Sequence, residues 1–484
     1  MPKTKKKKSL KESQRERQIK QESAEKARQI QREVEAKRKP RKWPKGKIFL
    51  VISLVLIVLG VYAVWQYTNV PVTPRHFTIV YLRADGSVDP SNASISIIGI
   101  NDYAFTADIY GSIVVERDNI FVNGTNHALQ GQSTSNSKGI DLSGRSNVTI
   151  TNLGLKDFGI GFRLTSASNI VLSQNDLSNN AFAVELAASS NNTIHGNIMT
   201  SNGGAIGLSD SSHNKLTQNN LKNNQFSISL TNSSDNDVSE NTVTNSNGAI
   251  GISQSAGNNI FGNIMSRNQK SVLMDNCLGN NVSENTITNS DEAITLSQSS
   301  DNEVNQNKLE NSPYGISVSD SLRNTVYGNT VKNSSYAISL SKSDSNNLIL
   351  NSLTGNQYSV SLTESSDNTV SGNTITGSNY AVALSKSSDN IIMENSLLGN
   401  QYGAYLAFSS ANTIFHNNFG YNNNQGFTLE STNVWDDGYP SGGNYWSDYQ
   451  NRYTDAKETD SSGIWNTPYV IDDKNQDRYP LVNG

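Results

Sequence analysis

Two consecutive units decide the fold: residues 324–345 and 346–367 read NTVYGNTVKNSSYAISLSKSDS and NNLILNSLTGNQYSVSLTESSD, 22 residues each. Each unit has the pattern Asn-x-Φ-x-x-Asn-x-Φ, then a polar turn, then Φ-x-Φ-x-x-Ser, where Φ is an apolar residue. Units of this pattern recur along most of the chain. A fixed period of this length is typical of proteins built from stacked repeats.

Two asparagine series keep the period of 22 residues without exception, one from Asn175 to Asn417 and the other from Asn192 to Asn412. Asn tolerates the left-handed backbone conformation that tight bends require. Stacked Asn side chains can also form hydrogen-bonded ladders from one repeat to the next. Both properties predict a structural role for these asparagines.

The apolar residues between the asparagines form short clusters that are rich in β-branched side chains and bounded by Asn, Ser and Gly. Each cluster is too short for a helix and is typical of a short strand. A leucine-rich repeat has a similar length, but its apolar spacing differs from the spacing of 5, 7 and 2 found here. The sequence therefore predicts an all-β protein, a right-handed parallel β-helix with three short strands in each coil. The one cysteine, Cys277, stands in a column of serines and is predicted to be a buried, unreactive thiol.

The N-terminal residues differ sharply from the repeats in composition. Residues 1–47 carry 19 Lys and Arg against 6 Glu, whereas the remainder carries 20 basic and 37 acidic residues. The segment 48–66 contains an uncharged run of 18 residues from Ile48 to Trp65, which as a helix nearly spans a bilayer. We therefore predict a transmembrane signal-anchor held in membrane lipid. A cleaved signal peptide is the alternative, and the long basic segment before the run disfavours it.

The charge distribution predicts the orientation of this anchor. Because positive flanks stay inside, the tail 1–47 is expected in the cytoplasm and the β-helix outside the cell, as a single-pass membrane protein. A basic tail can also bind nucleic acid, but its position beside an apolar run favours the membrane interpretation, and no nucleic-acid partner is predicted. The tail is expected to be partly helical or disordered, and residues 67–76 to be a linker.

Motifs on either side of the repeats resemble a known family. The entry reads LRADGSV at 82–88, IVVERDNI at 113–120 and GIDLS at 139–143, and the exit reads WDDGYPSGGNYWSDY at 435–449 and NQDRYPL at 475–481. Together with the repeat they resemble the NosD-like right-handed parallel β-helix proteins, within the carbohydrate-binding and sugar-hydrolase β-helices. The resemblance covers residues 77–484. We expect an N-terminal cap with irregular first coils at 77–146, the regular β-helix at 147–430 and an aromatic and acidic cap at 431–484.

The resemblance also raises the question of metals, since the name NosD is associated with copper. Copper sites favour Cys, Met and His, and here the histidines are scattered while Met199, Met265 and Met274 fall in core columns. Relatives often carry a calcium-loop-like stretch, but its equivalent at 455–463 lacks most of the alternating carboxylates that calcium needs. No cofactor is therefore predicted; calcium stays the weaker alternative, and copper is disfavoured.

Catalysis on polysaccharides would require convergent carboxylates or a carboxylate with a basic residue. The main charged group among the otherwise bare outward columns consists of Lys270, Asp275, Asp291 and Glu292. Lys270 and Glu292 are one repeat apart and are predicted to stack as a salt bridge, while Asp275 lies about 16 Å from Lys270 at the rise of a strand. Surface charge pairing is the preferred interpretation, and an active site is the alternative.

Two other features predict binding surfaces. Columns of small residues, exemplified by Ala337, Ser339 and Ser341, are expected to face outward as a flat Ser/Ala/Gly surface suited to self-association. Beside them a tyrosine column offers an amphipathic sugar platform or a stabilised coil edge; its members, with two tryptophans of the C-terminal cap as further candidate ligand contacts, are Tyr314, Tyr336, Tyr358, Tyr380, Tyr402, Trp435 and Trp446.

These observations predict a membrane-anchored cell-surface β-solenoid that acts as a non-catalytic module, binding polysaccharide or another cell-envelope glycan or serving as a scaffold. The alternative is a polysaccharide lyase, hydrolase or uronate epimerase that acts on acidic glycans. The bare outward face favours the first function, and the sugar-active members of the resembling group favour the second.

Overall fold

The structure is a computed structural model that describes residues 77–484, so the predicted tail, anchor and linker lie outside the described residues. The described chain forms a right-handed parallel β-helix of about 15 turns, which confirms the predicted all-β fold and the three strands per coil. The one helix of this part, α1, spans Tyr449–Arg452. No helix within residues 77–484 is long and apolar enough to cross a bilayer.

Sheet 1 contains the first strand of each coil, and apart from an antiparallel pair at its start its neighbours are parallel. Its strands are β3 (Ile95–Ile97), β4 (Asp102–Phe105), β6 (Ile120–Asn123), β9 (Val148–Thr151), β12 (Val171–Ser173), β15 (Thr193–His195), β18 (Lys215–Thr217), β21 (Asp237–Ser239), β24 (Asn259–Phe261), β27 (Asn281–Ser283), β30 (Glu303–Asn305), β33 (Thr325–Tyr327), β36 (Asn347–Ile349), β39 (Thr369–Ser371), β42 (Ile391–Met393) and β45 (Thr413–Phe415).

Sheet 2 contains the second strand of each coil. Its strands are β7 (Ala128–Gln130), β10 (Gly154–Lys156), β13 (Asp176–Ser178), β16 (Ile198–Thr200), β19 (Asn220–Lys222), β22 (Thr242–Thr244), β25 (Ile264–Ser266), β28 (Thr286–Thr288), β31 (Lys308–Glu310), β34 (Thr330–Lys332), β37 (Ser352–Thr354), β40 (Thr374–Thr376), β43 (Ser396–Leu398), β46 (Asn418–Gly420) and β48 (Tyr445–Trp446).

Sheet 3 contains the third and longest strand of each coil, and β5 joins it to sheet 2 by pairing with both. Its strands are β1 (Thr78–Leu82), β2 (Val88–Asp89), β5 (Ile109–Val115), β8 (Lys138–Asp141), β11 (Ile160–Thr165), β14 (Phe182–Ala187), β17 (Gly204–Ser209), β20 (Phe226–Thr231), β23 (Gly248–Ser253), β26 (Lys270–Asp275), β29 (Glu292–Ser297), β32 (Tyr314–Ser319), β35 (Tyr336–Ser341), β38 (Tyr358–Thr363), β41 (Tyr380–Ser385), β44 (Tyr402–Ala407) and β47 (Asn424–Leu429). The C-terminal segment adds the antiparallel pair β49 (Tyr469–Val470) and β50 (Gln476–Asp477).

Residues that stand 22 apart lie in register on neighbouring coils, and we call such a series a row. Thr193 pairs with Lys215, for example, and Tyr336 with Tyr358. The inward rows are aliphatic and almost fully buried, so every coil adds a layer to one continuous core. Cys277 lies in this interior at 2 % exposure, where burial raises the pKa of its thiol. Its predicted burial is confirmed.

Asparagine ladders run along the corners of the coils and are buried. The Asn307 side chain donates from Nδ2 to Oδ1 of Asn329 at 3.0 Å and to the carbonyl of Val282 at 2.8 Å. Its own Oδ1 accepts from the backbone N–H and from Nδ2 of Asn285, both at 3.0 Å. The predicted ladders are therefore confirmed.

The second reason given for the asparagines is wrong, because the ladder residues have no positive φ. The left-handed positions are neighbouring turn residues such as Gln306 (φ 54°) and Asn311 (φ 56°). The sequence analysis also missed a third ladder of mixed Asn and Ser, in which Asn180 Nδ2 donates to Asn202 Oδ1 at 3.1 Å and Ser378 N–H to Asn400 Oδ1 at 2.9 Å.

The small-residue row that contains Ala337 faces inward, which corrects the predicted outward placement. Ala337 is fully buried, while Ser339 and Ser341 are partly exposed as expected. The row lies at a bend where two successive residues point into the core, and space there is tight: a Cβ added to Gly315 would lie 2.5 Å from the Ala337 carbonyl oxygen. These residues are small because of packing, so the flat outward surface is narrower than predicted.

Candidate functional site

The five predicted tyrosines form one continuous stack on the outward side of sheet 3. Consecutive ring centroids from Tyr314 to Tyr402 are 5.7, 4.9, 4.6 and 5.1 Å apart, and neighbouring rings are parallel to within 6°. The spacing follows from the fold, since each tyrosine begins the same strand in successive coils. We call this series the tyrosine row.

Stacking determines which parts of these side chains a ligand can reach. The faces of the inner rings are covered by their neighbours, so the row presents ring edges and phenol groups to solvent. Burial, reinforced by neighbouring phenols, raises the pKa of Tyr336, Tyr358 and Tyr380 above the ordinary value. At physiological pH the row is therefore a line of neutral hydroxyl groups, which can both donate and accept hydrogen bonds.

Small residues lie beside the tyrosine row, three positions further along each strand. Ser317, Ser339 and Ser361 are partly exposed there, and the Ser339 hydroxyl lies 3.3 Å from that of Ser317. At the C-terminal end the same position is occupied by Tyr405 and then Phe427. The tyrosine row is thus the wall, and the three serines the floor, of a shallow trough parallel to the axis of the β-helix.

Tyr405 closes this trough at one end. Its ring contacts Tyr380 and Tyr402 edge-on, with centroids 5.3 and 5.6 Å away, and stacks on Phe427 at 5.0 Å. Burial raises the pKa of Tyr405 to about 12. The sequence analysis missed Tyr405 and Phe427, although both interrupt a row that otherwise holds small residues over the five preceding coils; that interruption was the available signal.

At its other end the trough meets the predicted charged group. Lys270 and Glu292 occupy the tyrosine row in the two coils before Tyr314, and their side chains are 3.1 Å apart, which confirms the predicted salt bridge. Asp275 ends the strand that Lys270 begins, and Asp291 lies in the turn before β29. Within residues 77–484 no three His, Cys, Asp or Glu side chains are grouped as a metal site would require.

Trp435 and Trp446 belong to the interior of the C-terminal cap, which corrects their assignment as ligand contacts. Their exposures are 0 and 1 %, and Trp446 stacks on Phe419 of the last regular coils at 4.4 Å. Trp446 also donates from its indole nitrogen to Asp477 Oδ2 at 2.8 Å. Both rings cover the open end of the core, a role that the end of any solenoid requires.

Comparison with protein families adds a separate line of evidence. The model of the family described as periplasmic copper-binding protein (NosD) matches residues 107–280 and 271–451. The chain belongs to the NosD family. No match was found among curated proteins.

The residues of this NosD protein do not fit the copper that the family description names. Each described histidine lies beside a different polar partner: His127 beside Asp108, His195 beside Thr217, His213 beside Asp235 and His416 beside the carbonyl of Ser441. Met199, Met265 and Met274 are completely buried in the aliphatic core. In the stretch 455–463 the carboxylates of Glu458 and Asp460 accept hydrogen bonds from Gly463 and Tyr439 and do not converge.

Among solved structures, this NosD protein is similar to a double mutant of a periplasmic alginate epimerase, with 13 % identity over 70 % of this chain and 79 % of the other and a TM-score of 0.39. A mannuronic-acid-specific polysaccharide family 6 lyase from human gut microbiota has 10 % identity, 59 and 83 % coverage and a TM-score of 0.43. A family 28 exopolygalacturonase of Yersinia enterocolitica has 11 % identity, 66 and 79 % coverage and a TM-score of 0.40.

Proposed function

We propose that this protein is a non-catalytic glycan-binding module of the cell surface, and that the trough on sheet 3 holds an extended polysaccharide chain. One observation carries the proposal: a floor of serines, a wall of phenol groups and an aromatic end form a straight, uncharged channel that repeats with the coils. Such a surface offers hydrogen bonds at regular intervals to a polymer of hydroxyl-rich units, with apolar ring edges beside them.

Neutral chemistry favours a neutral segment of glycan. Along the trough the raised pKa values keep the phenols protonated, and the floor residues Ser317, Ser339 and Ser361 carry no charge. Amide side chains border the tyrosines on their other side, as where Asn423 donates to Gln401 at 2.6 Å. The proposal includes the predicted anchor at 48–66, which would hold the module at the outer face of a membrane.

The test incubates the full-length protein, in detergent micelles, with neutral and acidic polysaccharides while retention and product formation are followed together. We expect retention of a neutral glycan without new products. Cleavage of the chain, or a change in uronate configuration, would instead establish the enzymatic alternative and make Lys270 and Glu292 the first residues to replace.

A variant separates binding from stability. Replacing Tyr336, Tyr358 and Tyr380 together by Phe keeps the ring stack but removes three hydroxyl groups, so we expect an unchanged melting temperature and at least about tenfold weaker retention, from the loss of hydrogen bonds worth about 1 kcal/mol each. Tyr327→Phe is the matched control, because Tyr327 is an exposed tyrosine on sheet 1, outside the trough. Full retention by the triple variant would rule out the trough as the binding site.

A further inference from the structure

A second surface, on sheet 1, is apolar and exposed in the C-terminal half of the β-helix. We call it the sheet 1 patch, and it consists of Tyr327, Ile349, Leu350, Ile391, Met393 and Phe415. Tyr327, Leu350 and Ile391 are 39, 54 and 41 % exposed, and the others are half-buried. In the N-terminal half of the sheet the same rows include Lys215, Asp237 and Glu303. Contiguous exposed apolar surface of this kind marks interaction sites.

The backbone at Leu350 is a second, independent sign of an interface. Leu350 has φ 54°, in the left-handed region that is strained for a bulky side chain, while the equivalent residues of the adjacent coils are Gly328 and Gly372. The Leu350 side chain lies over Gly372, where an added Cβ would be 2.8 Å from Leu350 Cδ2. An exposed leucine in a strained conformation stabilises neither the turn nor the core, and such strain is typical of functional positions.

The order of residues along the patch identifies its partner. One row of the patch runs through five consecutive coils as Tyr327, Ile349, Ser371, Met393 and Phe415. The series is aromatic, aliphatic, small, aliphatic and aromatic, so its shape is the same from either end. Ser371, at the centre, is only 8 % exposed and leaves room between the larger side chains.

We propose that the sheet 1 patch binds the same patch of a second copy of this chain, with the two β-helices antiparallel. A two-fold axis that lies in the interface, perpendicular to the helix axis at the level of Ser371, places Tyr327 opposite Phe415 of the second copy. It also places Ile349 opposite Met393 of that copy. A self-complementary surface is what a two-fold interface requires, whereas an unrelated partner has no need of the symmetric order.

Charge supports the same partner. The chain beyond residue 47 carries 37 acidic and 20 basic residues, so two copies repel each other unless their contact surface is uncharged. The central row of the patch has no charged residue. At the rim Glu394 follows Met393, where a long side chain can contact Leu350 of the second copy through its methylene groups and keep its carboxylate in water.

Crosslinking of the full-length protein in detergent micelles tests this arrangement. Cys277→Ser removes the native thiol and matches the serines of its row. In that background Ser371→Cys is treated with a short bis-maleimide, and a covalent dimer is expected because the two copies of this residue meet at the axis. Thr217→Cys is the control, since Thr217 stands in the same row seven coils away and its two copies would lie about 65 Å apart at about 4.8 Å per coil. No dimer from Ser371→Cys, or equal yields from both variants, overturns the proposal.

Charge exchange separates an interface from a folding defect. Ile349→Lys alone and Met393→Glu alone each place an unpaired charge in the contact, and each is expected to lower the crosslinking yield of Ser371→Cys at least about tenfold. The double variant restores the yield, because position 349 of one copy faces position 393 of the other. Single variants with the unchanged yield, or a double variant without recovery, would contradict the antiparallel contact.

Discussion

At the scale of single residues, the buried asparagines carry the largest hydrogen-bonding load. Asn307→Ala would leave the backbone N–H and Nδ2 of Asn285 without an acceptor and the carbonyl of Val282 without a donor. At about 1–3 kcal/mol for each unsatisfied group, we expect a loss of about 3 kcal/mol or more. Urea unfolding followed by circular dichroism measures it, with Asn305→Ala as control, since Asn305 is half-buried and makes one side-chain bond to Asn281. Equal losses for both variants would show that the ladder adds nothing.

Asp477 makes the stability of the C-terminal cap dependent on pH. Its side chain is fully buried, and burial raises its pKa to about 7, although the N–H groups of Asn444, Trp446 and Tyr479 donate to it. The folded state therefore holds a proton that the unfolded chain releases near its ordinary pKa. This contribution is complete at low pH and is lost as the pH rises towards 7. We expect the melting temperature to fall between about pH 4 and pH 7 and Asp477→Asn to flatten that slope; an identical slope in the variant would contradict this assignment.

At the scale of strands and turns, periodicity in the sequence was enough to predict the strands and their stacking. One coil fixes the position of all others, so the rows of Asn and aliphatic residues, the burial of Cys277 and the pairing of Lys270 with Glu292 followed directly. Direction was harder to predict at the bend of sheet 3, because a strict alternation of inward and outward residues fails where two successive residues point inward. Ala337 was misplaced for this reason.

The candidate sites were predicted less completely than the strands, for physical reasons that differ between elements. The tyrosine row was visible because it repeats, whereas Tyr405 occurs once in its row and its role depends on ring contacts across coils. Trp435 and Trp446 lie outside the repeat, so composition alone suggested exposed aromatics where the structure buries them. The sheet 1 patch was missed because its residues are apolar singly, and only the order along one row reveals the symmetry.

At the scale of the whole molecule, a solenoid is stabilised by contacts between neighbouring coils, so its length is adjustable in units of one coil. Deleting residues 214–235 removes one complete repeat and leaves every row in register, and both the trough and the sheet 1 patch lie further along the chain. We expect this variant to keep its β-sheet circular dichroism, cooperative melting and the crosslinking of Ser371→Cys.

Deleting only residues 214–224 removes half a repeat and brings polar turn residues into the aliphatic rows. That variant should aggregate or lose cooperative melting, although it lacks fewer residues than the first. If both deletions melted alike, stacking in register would not be what stabilises this β-helix. If the full-coil deletion folded but lost crosslinking, the sheet 1 patch would depend on coils that it does not contact, which a chain of nearest-neighbour interactions does not permit.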